Sequence, residues 1–277
     1  MTRLNRWSGY VRERGLLWAS LYAFHFLFMG IIRHLKKAVY HLDLHIIKIE
    51  KKKFLTGDAT VSSLYHTTEE NIKHWNSYDW SQYGNEWTTD AKKFKGLDPE
   101  CWKTSLVNGM MFKYIKKEMV VLEIGPGAGR WTEILQPVCR RLLIADISEK
   151  CLYICKERFK ACDNIEYHLI RGGILNFIPD NSIDNIWSYD VFIHVNVPDT
   201  EKYICEFKRI LKPGGYALIH HPGTYSSEEE ARKSWRSYID GKFFARLIDK
   251  HDMRLVEQNE TLAQKPGDLI SVFTKLQ

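Results

Sequence analysis

The chain has 277 residues, of which 44% are hydrophobic and 27% are charged, and this composition excludes a disordered chain and suffices for one core with an appendage. The net charge of +6 is uneven, because residues 1–60 hold 11 Lys and Arg against 4 Asp and Glu, whereas the other 217 residues hold 29 against 30. A nearly neutral main domain argues against a nucleic-acid groove, and the basic N-terminal part favours an anionic partner such as a phospholipid surface.

Residues 15–32, "GLLWASLYAFHFLFMGII", form an uncharged run of 18 residues between Arg14 and Arg33. As a helix this run would reach roughly 27 Å, slightly less than the hydrocarbon core of a bilayer. Basic residues flank it on both sides, so the positive-inside rule selects no orientation, and such flanks suit an in-plane or re-entrant segment. Over residues 28–49 apolar side chains then recur at steps of three and four, which predicts a long amphipathic helix.

We expect residues 1–55 to attach the protein to the inner face of a membrane, as a peripheral or monotopic protein on the cytoplasmic side. The alternative is a hydrophobic helical hairpin that packs on the main domain or on a second copy of the chain, which would give a homodimer. A signal peptide is not predicted, because no small-residue cleavage site follows the apolar run. The six cysteines show no C-x-x-C pair, so we expect free thiols in a reducing compartment and no metal site.

Residues 56–117 are predicted to be a polar connector followed by an aromatic segment. Thr67 and Glu70 have capping-box spacing, which predicts a helix start at this point. Five aromatic residues then fall within 13 positions: Trp75, Tyr78, Trp80, Tyr83 and Trp87. They would form either a lid over a ligand or a loop held on the core by its rings.

Residues 118–277 alternate short apolar runs with helical patterns. Strands are predicted in "EMVVLEI", "RRLLIADIS", "NIEYHLI", "SIDNIWSYDVF" and "YALIHHPG", and in a final pair, "MRLVEQN" and "DLISVFTK". This alternation predicts an α/β fold, a doubly wound, mostly parallel seven-stranded sheet, preceded by the N-terminal hydrophobic and amphipathic helical extension. The last two strands are joined by a turn, which predicts an antiparallel strand at the edge of the sheet.

The loop after the first strand reads "VLEIGPGAGRW", residues 121–131. Gly125, Gly127 and Gly129 stand at alternate positions, unlike the G-x-G-x-x-G of dinucleotide folds, and Glu123 places a carboxylate where a pyrophosphate would be repelled. A carboxylate there suits the ammonium of a methionine moiety. Asp146 closes the second strand 21 residues after Gly125, where an acid can accept ribose hydroxyls in either cofactor class.

Together with "LLIADIS", "PDNSIDNIWSYDVFIHV" and "RILKPGGYALIHHPG", in this order, the loop resembles the class I S-adenosylmethionine-dependent methyltransferases over residues 118–277. The resemblance implies a Rossmann-like fold with S-adenosylmethionine as the cofactor. It assigns Glu123, Gly125, Gly127 and Gly129 to the cofactor loop and Asp146 to the ribose. Further candidate cofactor-binding residues are Trp87, Ile147, Gly173, Ile174, Tyr189 and Asp190. Many relatives carry an acid after the third strand, whereas "LIRGGILNF" offers glycines, so adenine would be recognised there through the backbone. The segment "DWSQYGNEW" is similar to what precedes this loop in bacterial methyltransferases of cell-surface polysaccharide and lipopolysaccharide assembly.

Three histidines are candidates for a general base. Methyl transfer to a hydroxyl requires alignment of the acceptor and removal of its proton. His194 follows the fourth strand, and His220 and His221 end the fifth, at the carboxyl ends of strands where such sheets bind ligands. For His194 a packing role is an equal alternative, and of the two adjacent histidines one is expected to face inward and one the cleft.

The sequence therefore predicts a methyltransferase that modifies a hydroxyl of a sugar, glycolipid or other membrane-proximal small molecule. One alternative is a soluble small-molecule methyltransferase that dimerises through its N-terminal helices. A second is a non-catalytic, cofactor-binding scaffold subunit in glycan assembly. Nucleic acid is not an expected partner, because "SYDV" stands where amino-methyltransferases of bases carry an Asn/Asp-Pro-Pro-aromatic stretch. Ser227 and Glu230 have capping-box spacing, which predicts an inserted helix over the cleft.

Overall fold

The computed structural model describes residues 21, 24–25, 27–39, 42, 67–224, 236–237 and 239–276. The chain divides into two compact units, Met1–Lys53 and Phe54–Gln277. In the first unit, residues 27–39 are helical. No helix within the described ranges is long and apolar enough to cross a membrane. Most of the predicted N-terminal segment, and the predicted helix start at Ser227, lie outside the described residues.

The second unit begins with short helices. The first helix, α1, is Thr68–Ser77, and its predicted capping box is present: Glu70 N donates to Thr67 Oγ1 at 3.2 Å and Thr67 N donates to a Glu70 carboxylate oxygen at 2.9 Å. A 3₁₀ turn follows at Asn85–Thr89, and then come α2 (Asp90–Lys95) and α3 (Pro99–Leu106). A π-turn at Val107–Met111 joins α3 to α4 (Phe112–Tyr114).

The remaining elements are strands separated mostly by helices. The strands are β1 (Val120–Ile124), β2 (Arg141–Asp146), β3 (Ile165–Leu169), β4 (Ile183–Ser188), β5 (Leu211–Pro222), β6 (Met253–Asn259) and β7 (Asp268–Lys275). The helices are α5 (Thr132–Leu135), α6 (Glu149–Arg158), α7 (Val197–Ile210) and α8 (Gly241–Lys250), with a 3₁₀ turn at Gln136–Val138. The strands form one sheet in the order β3-β2-β1-β4-β5-β7-β6, so the predicted seven-stranded α/β fold is confirmed.

The position of the antiparallel strand differs from the expectation. β7 is antiparallel to both β5 and β6, and it lies between them, so β6 forms the edge. β7 is buried along most of its length, whereas the residues of β6 alternate between buried or half-buried and exposed. The prediction of an antiparallel edge strand was wrong because the apolar run "DLISVFTK" needs partners on both sides, which an edge position does not provide.

Two hydrophobic layers cover the sheet. Along β1, Leu122 and Ile124 belong to one layer and Val121 to the other, because successive strand residues point to opposite faces. Each fully buried side chain of this size contributes about 1.5–3 kcal/mol. Strands β1, β2 and β4 run parallel, so their carboxyl ends lie side by side. The loops that follow these strands meet there.

Candidate active site

A cleft lies at the carboxyl ends of β1, β2 and β4, with α1 and the aromatic segment on its other side. It encloses about 760 Å³ of space, including its opening to solvent. The sequence-predicted residues that line it are Trp87, Gly125, Gly127, Asp146, Ile147, Tyr189, Asp190 and His194. The cleft thus brings together residues that lie more than 100 positions apart in the sequence.

The glycine loop can be built only with glycine at its central positions. Gly125 and Gly127 have φ values of +67° and +56°, in the left-handed region that side chains disfavour. A Cβ atom on Gly125 would lie 2.4 Å from Val191 Cγ2, and one on Gly127 would lie 2.8 Å from Trp80 Cζ3. The loop therefore passes close under the aromatic segment and leaves its backbone accessible to a ligand.

Asp146 is oriented by the backbone around it. Its Oδ1 accepts a hydrogen bond from Ser148 N at 2.8 Å, and its Oδ2 accepts one from Gly127 N at 3.2 Å. Burial raises the pKa of this carboxyl group to about 6, against the lowering effect of these backbone hydrogen bonds. A lining carboxylate fixed in this way can accept hydrogen bonds from a pair of vicinal hydroxyls, such as those of a ribose.

Glu123 and Gly129 support the loop from behind and do not line the cleft. Thr132 Oγ1 donates to Glu123 Oε2 at 2.6 Å, whereas Oε1 is buried with no hydrogen-bond partner among the described residues. Burial raises the pKa of Glu123 to about 8, despite the hydrogen bond from Thr132. Gly129 packs against Phe159, the residue that follows α6, because a Cβ atom on Gly129 would lie 2.5 Å from Phe159 Cε2.

Asp190 is held in an unusual conformation by charged and polar neighbours. Its φ is +61°, a left-handed value that costs free energy in any residue but glycine. Arg130 Nη2 donates to its Oδ2 at 2.6 Å, and Gln264 Nε2 donates to both carboxylate oxygens. Burial acts to raise the pKa of Asp190, but hydrogen bonding to His220 and the charge of Arg130 hold it well below its usual range, so Asp190 is ionised.

The three candidate histidines occupy different environments. His194 lines the cleft, where its ring lies 5.1 Å from that of Trp75 in an edge-on arrangement. His220 and His221 are fully buried and lie outside the cleft wall. The ring of His220 stacks on Tyr189 at 4.1 Å, and His221 Nε2 lies 2.7 Å from Ser271 Oγ.

The residues after β3 are arranged differently from what the resemblance implies. Gly173 packs on α7, where a Cβ atom would lie 2.6 Å from Tyr203 N, and Ile174 is 54% exposed. Neither lines the cleft, whereas Ile170, directly after β3, does.

The aromatic segment forms one wall of the cleft through Trp75, Trp80, Tyr83 and Trp87. The rings of Trp80 and Trp87 lie 5.4 Å apart, and Trp80 Nε1 donates to Trp75 O at 3.0 Å. The segment therefore both packs on the glycine loop and covers the cleft. Sequence reasoning noted these aromatic residues but missed Arg130, whose one signal is a cation placed directly after the third glycine.

Residues 122–219 match a protein-family model described as a methyltransferase domain. These residues are therefore a methyltransferase domain of the S-adenosylmethionine-dependent type. Within the described part of the chain, no group of His, Cys, Asp and Glu side chains is arranged to hold a metal ion.

Known proteins are similar to parts of this chain. A demethylmenaquinone methyltransferase of Tropheryma whipplei is 33% identical over 99 residues, which cover 36% of this chain and 40% of that protein. A phosphoethanolamine N-methyltransferase of Caenorhabditis elegans is 26% identical over 179 residues, 62% of this chain and 40% of that protein. The chain thus spans about 40% of the length of both curated relatives.

Among solved structures, the N-methyltransferase NodS from Bradyrhizobium japonicum WM9, in complex with S-adenosylhomocysteine, shares the fold. The TM-score is 0.55 at 17% identity, with 76% of this chain and all of that chain covered.

Proposed function

We propose that the protein transfers the methyl group of S-adenosylmethionine to a hydroxyl of a sugar, glycolipid or other membrane-proximal small molecule. The observation that carries this proposal is that one cleft holds the glycine loop, the oriented carboxylate of Asp146 and the imidazole of His194. A bound cofactor supplies a methyl group already activated by its sulfonium, so the protein must align the acceptor and remove its proton.

The buried polar atoms of the site fit this cofactor. Asp146 would accept hydrogen bonds from both ribose hydroxyls, because each of its oxygens has a lone pair beyond its backbone contact. Ile147 and Ile170, which line the same part of the cleft, offer apolar contact to an adenine ring. Glu123 lies behind the glycine loop and does not line the cleft, so its Oε1, which has no partner among the described residues, would meet the ammonium of the methionine end through a water molecule.

His194 would act as the general base for the acceptor hydroxyl. Its ring reaches the cleft from the loop after β4, whereas His220 and His221 lie behind the wall. Proton removal by a positioned imidazole contributes about 10²–10⁴-fold to such reactions.

The aromatic wall supports an acceptor with an apolar face. Trp75, Trp80 and Trp87 line the cleft, and aromatic rings in a binding site can pack against the apolar faces of sugar rings while hydroxyls remain available to polar groups. The sequence "DWSQYGNEW", similar to methyltransferases of surface-polysaccharide assembly, supports the same substrate class.

The proposed location is the cytoplasmic face of a membrane, with residues 1–55 in contact with lipid. In the helix at residues 27–39, Leu27, Ile31, Leu35 and Val39 recur every fourth residue and are each at least 50% exposed. Side chains four residues apart share one face of a helix, so these residues form one exposed apolar stripe. The alternative use of this stripe is a homodimer contact.

Calorimetric titration of the detergent-purified full-length protein with S-adenosylhomocysteine tests the cofactor site. We expect micromolar binding that is lost in Asp146→Ala. Binding should be followed by incubation of cell-envelope glycolipids with S-adenosylmethionine carrying a tritiated methyl group, and label should enter the glycolipid fraction as a base-stable methyl ether. Absence of binding by the wild-type protein would favour the scaffold alternative, and label stable on an amine would contradict the hydroxyl assignment.

A further inference from the structure

Arg130 is a buried cation in the wall of the cleft. It follows Gly129 directly, is only 4% exposed and lines the cleft. Its guanidinium carbon lies 4.7 Å from the ring centroid of Trp131 and 5.8 Å from those of Trp87 and Tyr189. Arginine is seldom buried to this degree without anionic partners.

Only one of the two terminal nitrogens of the guanidinium has a hydrogen-bond partner among the described residues. Nη2 donates to Asp190 Oδ2 at 2.6 Å, whereas Nη1 is buried and has no hydrogen-bond acceptor in the described part of the chain. Buried donors are nearly always paired in folded proteins, so an unpaired one in a cleft wall indicates a ligand. A planar fork of N–H groups matches a carboxylate better than any other common anion except phosphate.

Asp190 does not also accept a hydrogen bond from Arg130 Nη1, because its neighbours hold its carboxylate in place. Gln264 Nε2 lies 3.1 and 2.9 Å from its two oxygens, and the Asp190 backbone N–H donates to His220 Nδ1 at 3.2 Å. Arg130 is thus kept in one orientation by Asp190 and by the rings around it, which lowers the cost of ordering it when a ligand binds.

We propose that Arg130 binds the α-carboxylate of the cofactor through Nη1. The glycine loop supports the assignment, because Gly127 near its middle contacts Asp146, the proposed ribose partner, and Arg130 comes three residues later on the same loop. The methionine end carries the one carboxylate of the cofactor. Asp190 remains paired with Arg130 and balances its charge. This inference rests on the proposed use of S-adenosylmethionine as methyl donor.

The test compares two ligands by calorimetry, S-adenosylmethionine and its decarboxylated form, which keeps the ammonium and lacks only the carboxylate. For the wild-type protein we expect S-adenosylmethionine to bind about 10- to 100-fold more tightly, the range for a hydrogen bond to a charged group. In Arg130→Met this preference should fall to within about threefold, with the affinity for the decarboxylated form nearly unchanged.

Two further variants keep the test decisive. Arg130→Met leaves the charge of Asp190 buried without its partner and could therefore destabilise the fold. The double variant Arg130→Met/Asp190→Asn removes both charges and avoids this problem. It should show the same loss of preference for S-adenosylmethionine. Arg158→Met is the matched control, because Arg158 Nη1 donates to Ala128 O in the same loop at 3.0 Å but Arg158 does not line the cleft; it should keep the wild-type preference.

A preference for the carboxylated ligand that persists in both Arg130 variants would overturn the assignment of Arg130 and leave the proposed function intact. A wild-type protein that binds neither ligand would contradict the proposed function as well.

Discussion

The indole of Trp80 lies on Gly127, so close that a Cβ atom at Gly127 would be 2.8 Å from Trp80 Cζ3. We therefore expect Gly127→Ala to displace the aromatic wall and to strain the loop, because alanine also disfavours the φ of +56° at this position. The affinity for S-adenosylhomocysteine, measured by calorimetry, should fall by about tenfold or more, as a contact loss of about 1.4 kcal/mol would produce.

Gly214→Ala is the matched control for Gly127→Ala. Gly214 has a φ of +78° but no atom within 4 Å of its Cβ position, so this variant should lose about 1 kcal/mol of stability through backbone strain alone and keep its affinity. Adding Trp80→Ala to Gly127→Ala should relieve the steric part. Wild-type affinity in Gly127→Ala would show that the contact does not shape the cleft.

The buried carboxyl of Glu123 predicts a pH-dependent stability. Burial raises its pKa from 4.5 to about 8, so between these two pH values the folded protein holds a proton that the unfolded chain releases. Raising the pH from 4.5 to about 8 therefore lowers the free energy of unfolding, by up to about 1.4 kcal/mol per pH unit. Glu123→Gln, which cannot ionise, should be close to the wild type in stability near pH 5 and more stable near pH 9.

Denaturant titrations of both proteins from pH 5 to pH 9 measure this difference. Asp146 also titrates in this range and its charge acts on Glu123, so the comparison is repeated with Asp146→Asn in both proteins to isolate the contribution of Glu123. Thr132→Val removes the hydrogen bond that lowers the pKa of Glu123. The pKa of Glu123 should therefore rise further in this variant, and its stability should continue to fall to a higher pH than in the wild type. Parallel stability curves for the wild type and Glu123→Gln would contradict a raised pKa.

Most of the fold could be predicted from the sequence because the strands are short apolar runs separated by helical patterns. The glycine loop and Asp146 could be located for a related reason, since their conformation depends on residues nearby in the chain. The order of the last two strands could not be predicted, because strand pairing in a sheet depends on residues far apart in the sequence. The burial of β7 on both faces placed it between β5 and β6.

The walls of the cleft were harder to predict. Residues 217–222 of β5 are all buried, because this strand is central and both its faces are covered, so alternation does not distinguish a cleft-facing residue from a core residue. His220 and His221 therefore share the same burial although they pack on different neighbours. The orientation of the Arg130 guanidinium depends on the hydrogen bond from its Nη2 to Asp190, 60 positions away, and no local pattern in the sequence indicates that contact.

The placement of His194 predicts a selective loss of turnover. His194→Ala should lower methyl transfer to the glycolipid fraction by about 10²–10⁴-fold, the usual contribution of a general base, while the affinity for S-adenosylhomocysteine changes by less than about threefold. The rate should be measured in single-turnover reactions so that product release does not mask it.

His168→Ala is the control for His194→Ala. His168 lies on β3, stacked on Phe177 at 4.0 Å, and does not line the cleft, so this variant should keep both rate and affinity. An unchanged single-turnover rate in His194→Ala would leave His194 with a packing role against Trp75.

The apolar stripe of the N-terminal helix predicts binding to anionic membranes. The full-length protein should float with vesicles that contain anionic phospholipid, and Leu35→Asp/Val39→Asp should reduce the floating fraction, because each aspartate places a charge where the stripe meets lipid. Lys36→Gln/Lys37→Gln should weaken flotation with anionic vesicles and not with neutral ones, since each basic residue near such a surface contributes about 1 kcal/mol.

Leu169→Asp/Ile174→Asp, at two exposed apolar positions of the main domain, is the matched control and should float like the wild type. Sedimentation velocity of the same variants tests the alternative, because a stripe that joins two copies of the chain would make Leu35→Asp/Val39→Asp monomeric while leaving lipid binding unchanged.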